Sequence, residues 1–143
     1  MISHFVVAEI ATGLIRQACF ASRPWPEVQA EWTPPEGCEL LQLPEALPPP
    51  LNHWRVADGT VVPRAAMPVL VSTPGIAADG DNECALTGLP DPCTVTITGA
   101  VSAGPMDITG GSLTLTSTAP GAITNAITAD PLWKPWEGTI HAT

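Results

Sequence analysis

Residues 94–98, Thr94-Val95-Thr96-Ile97-Thr98, alternate polar and aliphatic side chains, and the two periods that follow keep that rhythm. In Ser112–Thr118, Leu113 and Leu115 oppose Thr114 and Thr116. In Ala122–Ala129, Ile123, Asn125, Ile127 and Ala129 fall on one side, with Asn125 the one polar member of that row. A period of two places alternate side chains on opposite faces of a strand. A sheet with one buried face and one threonine-coated face produces this pattern. Shorter segments of the same kind stand at Val69–Ser72, Glu83–Thr87 and Thr139–Ala142. Turn residues separate them: Ala78-Asp79-Gly80-Asp81, Gly88-Leu89-Pro90-Asp91-Pro92, Gly110-Gly111 and Pro120-Gly121. Strands at intervals of about 8–12 residues predict a small antiparallel β-sandwich over residues 66–143.

Upstream the pattern changes. Asp58-Gly59 between His53-Trp54-Arg55-Val56-Ala57 and Thr60-Val61-Val62-Pro63-Arg64 is the signature of a two-residue type I′ hairpin. Pro63 and Pro68 bracket a boundary, so residues 1–65 form a separate assembly region of β-hairpins and a proline-rich arm. Ser3–Glu9 and Leu14–Phe20 read as an N-terminal hairpin with Gly13 at a positive φ. Such a hairpin is marginal alone, so it is expected to pair with another chain or to pack on the sandwich. The prolines of residues 22–37 exclude a regular element over most of that stretch, leaving one helical turn over Glu27–Trp32. Glu39–Leu43 reads as a strand. Pro48-Pro49-Pro50, within residues 44–51, predicts an extended polyproline connector. The whole is an all-β chain.

With 143 residues, 17 prolines and 12 glycines, the chain has little room for long helices. The net charge of −9, with Lys134 the one lysine beside four arginines, leaves no cationic patch for a phosphate backbone or an anionic membrane. No apolar run approaches the ~20 residues of a membrane span. Glu9 and Arg16 break the N-terminal hydrophobicity that a signal peptide needs, so folding in a cytoplasm is expected.

Chemistry-bearing clusters are absent from the sequence. His4, His53 and His141 stand one per region, and neither a nucleophile elbow nor a phosphate-binding glycine loop occurs. No catalytic, cofactor or metal residue is nominated. Asp79-Gly80-Asp81-Asn82-Glu83 offers oxygen ligands, but without the spacing of a calcium loop it reads as a solvated turn. Cys19, Cys38, Cys84 and Cys93 contain no C-x-x-C. They read as buried or half-buried thiols, with Cys19–Cys38 and Cys84–Cys93 as the alternative local disulfides. Trp25 and Trp32 in the proline-rich stretch are candidate interface anchors, together with Pro48, Pro49 and Pro50. Trp133 and Trp136 either close the end of the sandwich, meet a neighbouring subunit or offer a stacking platform for a sugar.

The segments HWRVADGTVVPRAAMPV (53–69), ALTGLPDPCTVTITG (85–99) and GGSLTLTSTAPGAITNAITADPLWKPWEGTIHA (110–142) together resemble small tail-associated structural proteins of tailed bacteriophages. The likeness runs in order over residues 53–143. It departs from the family pattern at Ala65-Ala66, at Ala122 and in the closing strand. The resemblance implies an immunoglobulin-like sandwich and a virion role in the tail, tail tip or fibre base, with a capsid decoration or head-fibre protein as the alternative. It carries over no active site. The partners it implies are other virion proteins and further copies of the chain, assembled in a host cytoplasm, with host-surface glycan as a further target. A carbohydrate-binding module is the reading from a different class.

Overall fold

The computed structural model describes residues 2–143, whose regular structure is mostly β. The chain forms two compact units, residues 1–65 and 66–143.

The first unit is built on a three-stranded antiparallel sheet. Strands β1 (Ser3–Glu9) and β2 (Ile15–Ala21) make the hairpin, and β3 (Cys38–Leu43) pairs with the other edge of β1, in the order β2-β1-β3. The hairpin therefore finds its third strand within its own unit, correcting the expectation that another chain or the sandwich must support it. β1 is buried on both faces. Val6 and Ala8 join Ile15, Leu43 and Val56 in one cluster. Phe5 faces the other way and is gripped by Trp25 (5.6 Å between ring centroids) and Trp32 (4.9 Å, edge-on).

Both tryptophans are carried by α1 (Trp25–Glu31) and the residue after it, a helix longer than the single turn expected. Pro24 is the N-cap and Pro26 lies in the first turn. A helix start has unpaired N–H groups in any case, so proline is tolerated there and its fixed φ suits the helix. Arg23 and Glu31 form an ion pair across this helix, and the Ser3 hydroxyl donates to the Arg23 carbonyl at 2.6 Å.

The opposite face is covered by the hairpin of β4 (Trp54–Ala57) and β5 (Thr60–Pro63), with Leu47 and Leu51 beside it. Asp58 (φ 52°) and Gly59 (φ 73°) supply the two positive-φ positions of its turn. The proline stretch is not one straight rod. It bends, includes a cis Pro49–Pro50 bond and ends in a short 3-10 helix, Leu51–His53. The Trp54 indole N–H donates to the Pro48 carbonyl at 2.8 Å and ties it back.

The second unit contains two sheets. One has the strands β6 (Leu70–Val71), β8 (Cys84–Thr87) and β11 (Ser112–Leu115) in the order β11-β8-β6. The other holds β7 (Gly75–Ile76), β9 (Cys93–Gly99), β10 (Ala103–Ile108), β12 (Gly121–Thr128) and β13 (Trp136–Ala142) in the order β10-β9-β12-β13-β7. Only the β13–β7 pairing is parallel. Both sheets feed one core: Cys84, Leu86 and Leu115 from the first, Val95, Ile97, Ile123, Ile127 and Ile140 from the second. The alternation read at 94–98 holds, with Val95 and Ile97 buried and the threonines on the other face. β11 stops short of the expected Thr118. The Ser117 hydroxyl donates to the Ala119 carbonyl and accepts from the Ala119 N–H, which competes with ladder pairing. β7 and β10 lie outside the segments read as strands.

Asn125 is 1% exposed, and neither its amide nitrogen nor its carbonyl oxygen has a partner. A buried unpaired amide carries its desolvation cost uncompensated, so Asn125→Val is expected to stabilise the second unit by about 1–3 kcal/mol, measured by urea unfolding. A loss of stability would instead reveal a bound water that the amide holds. In the first unit, the Gly13 carbonyl accepts the Val56 N–H at 2.8 Å, and a Cβ on Gly13 would overlap the Val56 carbonyl oxygen. Gly37 has a similar φ of 78° but open space around it. Gly13→Ala is expected to lower stability by about 1–3 kcal/mol, and Gly37→Ala by distinctly less, in the same urea measurement.

Candidate functional site: an open strand edge beside a proline-lined groove

β2 is an edge strand, with β1 on one side. At its start, Leu14 bridges to Arg55. After Ala21 the chain bends at Ser22 and Arg23. Between these limits lie Ile15–Ala21, of which Arg16, Gln17, Ala18 and Phe20 are exposed, and the register on β1 shifts at Arg16, which sits in a bulge. Phe20 is 71% exposed. Register places Phe20, opposite His4, and Ala18, opposite Val6, on the sheet face that also carries Leu41 and Leu43. Cys19 and Gln17, opposite Phe5 and Val7, lie on the face toward Trp25.

Three shallow depressions adjoin this edge and share Leu47. One of about 150 Å³ lies between Phe20 and Leu43. The next, about 300 Å³, has Arg16 and Ala18 on one wall and Leu47, Pro48, Pro49 and Leu51 on the other. The third, about 250 Å³, continues to Trp54 and Val61. Pro48 and Pro49 thus line a groove. Arg16 sits at its mouth, paired with Glu9 at 2.5 Å. The Thr12 hydroxyl and the Arg16 guanidinium hold the Glu9 carboxyl below its usual range.

The remaining candidates are placed as follows. Trp25 is half-buried and Trp32 is 40% exposed, and both rings lie on Phe5. Trp133 and Trp136 are half-buried and pack against the core of the second unit, with the Trp136 ring lying over Gly138. All four cysteines are free, and Cys38, Cys84 and Cys93 are buried. Cys19 and Cys38 lie on opposite sides of β1, paired with Phe5 and Glu9. Two strand spacings and four residues of rise separate them by more than about 10 Å, too far for the Cα separation of up to ~7 Å that a disulfide allows. The proposed Cys19–Cys38 bridge is therefore excluded, and Cys84 and Cys93 stand on different sheets, unbridged.

In the second unit, a cleft of about 440 Å³ is bordered by Cys93, Thr94, Asp107 and Asp130. Burial, with the Asp91 carboxylate second, pushes the Cys93 thiol up, so it is the protonated, unreactive form at neutral pH. Burial likewise pushes Cys19 up. Among the described residues no group of three or more His, Cys, Asp or Glu is arranged to hold a metal ion, and no helix is long and apolar enough to cross a membrane. The open β2 edge was not legible beforehand. The alternation of residues 3–9 and 14–20 gives strands, but which edge is left unpaired depends on where β3 docks.

Comparison with protein-family models, with curated proteins and with solved structures finds no match to this chain.

Asp79 forms the acidic turn as a local brace. Its Oδ1 accepts the backbone N–H groups of Asp81 (2.9 Å) and Asn82 (2.8 Å), which hold its carboxyl below the usual range, the Asn82 bond contributing most. A depressed folded pKa gives a contribution that is complete above the ordinary aspartate range and is lost as the pH falls through the folded value. Asp79→Ala is expected to be less stable than the parent at neutral pH, with the difference shrinking on acidification, as thermal melts across pH 2–7 (roughly the carboxylate range) would record.

Proposed function

We propose that this chain is a non-enzymatic structural subunit of a bacteriophage virion, seated in the tail, tail tip or fibre base and joined to other subunits through its first unit. The observation that carries the reading is the open β2 edge beside its proline-lined groove. An edge strand with a run of unpaired backbone groups is a template for another chain, and native proteins usually shorten, charge or bulge such edges.

Three of the four edges of the second unit contrast with it. β6 and β7 are two residues each, and β10 contains Pro105 and an irregularity between Ala103 and Met106. β11, of four residues, and β3, the other edge of the first unit's sheet, are edges too, and β2 stands out from them by the exposed Phe20 and the groove beside it.

The strand order supports the immunoglobulin-like part of the reading. With β6, β8 and β11 taken as A, B and E, and β10, β9, β12 and β13 as C′, C, F and G, the two sheets follow the order of that fold. β7 is then the second half of A, crossing to pair with G in parallel. The antibody-type disulfide between B and F is missing, since β12 has no cysteine. The segments that carry the phage resemblance fall on these elements: 53–69 on the β4–β5 hairpin, 85–99 on β8 and β9, and 110–142 on β11 to β13. The sparse charge, with all four arginines before residue 65, suits surfaces covered by neighbours.

The test is immunodetection of the chain in density-purified phage particles from the source strain, alongside particle-free lysate. Co-sedimentation at a fixed copy number per particle is the expected result. A chain confined to the soluble fraction would sink the virion assignment.

A further inference from the structure

The chain contains two Asp-Gly pairs, Asp58-Gly59 at the tip of the β4–β5 hairpin and Asp79-Gly80 in the acidic turn. At such a pair the side-chain carboxyl and the next backbone nitrogen can react, because glycine has no Cβ to block the approach. The other aspartates precede Asn82, Pro92, Ile108 and Pro131, which are bulkier or, as proline, have no N–H. In the reaction the glycine nitrogen bonds to the aspartate Cγ and gives up its proton, and a carboxyl oxygen leaves as water, closing a five-membered imide. Water then adds back. Addition at Cγ restores aspartate. Addition at the α-carbonyl carbon breaks the original C–N bond and leaves the chain running through Cγ, with one more methylene in the backbone, a free α-carboxylate and the mass unchanged.

Both aspartates are exposed, yet the fold treats the two pairs differently. At Asp79 the carboxylate accepts the Asp81 and Asn82 N–H groups, and the reacting nitrogen, that of Gly80, donates to the Ser117 carbonyl at 3.0 Å. The hydrogen bonds that lower the Asp79 pKa also keep its carboxyl ionised, whereas the imide forms from the protonated acid, whose oxygen leaves as water. At the hairpin tip these restraints are missing. Among the described residues neither the Asp58 carboxylate nor the Gly59 N–H has a hydrogen-bond partner, and the space around Gly59 is open. Both residues lie outside β4 and β5, so the tip opens locally without breaking the ladder.

From this contrast we infer that Asp58-Gly59 is a site of spontaneous isoaspartyl formation, and that the hydrogen bonds of the acidic turn spare Asp79-Gly80. The site stands where the change has a consequence. The type I′ turn needs positive φ at two successive α-linked residues, here Asp58 and Gly59. An added methylene lengthens the loop and unsettles the register that sets Ala57 against Thr60 and Val56 against Val61. Those strands hold Trp54, Val56 and Val61 in the cluster over Val6 and Ala8. Isomerisation therefore loosens one of the two covers of β1 as the chain ages.

The experiment incubates the full chain at mildly acidic pH, folded and in parallel in concentrated urea. Isoaspartate is then located by proteolysis, liquid chromatography and electron-transfer fragmentation, which distinguishes the two linkages at equal mass. In the folded chain Asp58 is expected to convert at least ~10-fold faster than Asp79, which must first give up hydrogen bonds to a charged group. In urea the two rates are expected to converge. Equal rates in the folded chain, faster conversion at Asp79, or no conversion at Asp58 while the urea-treated chain converts, overturns the inference. So does a preference for Asp58 that persists undiminished in urea, because the sequence and not the fold would then set it. The isomerised fraction, separated chromatographically, is expected to melt below the fresh chain, and an unchanged melting temperature overturns the loosening of the cover.

Discussion

Every sheet face that carries aliphatic side chains in this chain has to be covered, and each unit meets that requirement differently. In the second unit the strict alternation of β9 and β12 leaves one apolar and one threonine face per sheet, so a second sheet with the same property closes the core. In the first unit β1 has no polar face at all: Phe5, Val6, Val7 and Ala8 are all buried. One cover cannot serve both sides of a strand. The chain supplies two, the short helix with Trp25 and Trp32 over Phe5 and the hairpin with Leu47 and Leu51 over Val6 and Ala8. The proline-rich stretches that look like free arms in the sequence are therefore the connections that bring these covers round.

The same requirement explains why Phe20 is conspicuous. The cluster over β1 takes in Ile15 at one end of β2 but stops short of its other end, leaving an aromatic ring beside an apolar groove. A single exposed apolar residue is ordinary. An exposed phenylalanine on an unpaired strand, with a groove next to it, combines two features that folded chains usually avoid together.

What could be read from the sequence followed from local chemistry. Asp58-Gly59 specifies its hairpin because both residues accept positive φ, and Val95 and Ile97 specify their strand because period two has no helical counterpart. What could not be read depended on partners distant in sequence. β10 contains Gly104 and Pro105, which argue against a strand anywhere but an edge, and an edge is where it lies. β7 has two residues and exists only because β13 passes beside it. The helix at Trp25 was obscured by two prolines that read as breakers and act as a helix start. Trp25 and Trp32 were legible as anchors, but their partner, Phe5, could be known only once the helix was seen to fold over β1. The site itself, an unpaired edge with its groove, is a property of strand order, and no residue of β2 encodes it alone.

The two units also divide the management of edges. A β-module that circulates as a free subunit before assembly must resist pairing with itself at random, and a module that assembles must keep at least one place where pairing is specific. Short β6 and β7 and the proline-bearing β10 meet the first demand at three of the four edges of the second unit, and β11 does not. On β2 the bulge at Arg16 and the ends of the strand limit where another strand could pair. A bridge at Leu14 and a bend at Ser22 confine any added strand to the seven residues Ile15–Ala21, and side chains of different size and charge along them discriminate among registers. Any pairing at this edge is thus limited by geometry that the fold of the first unit imposes.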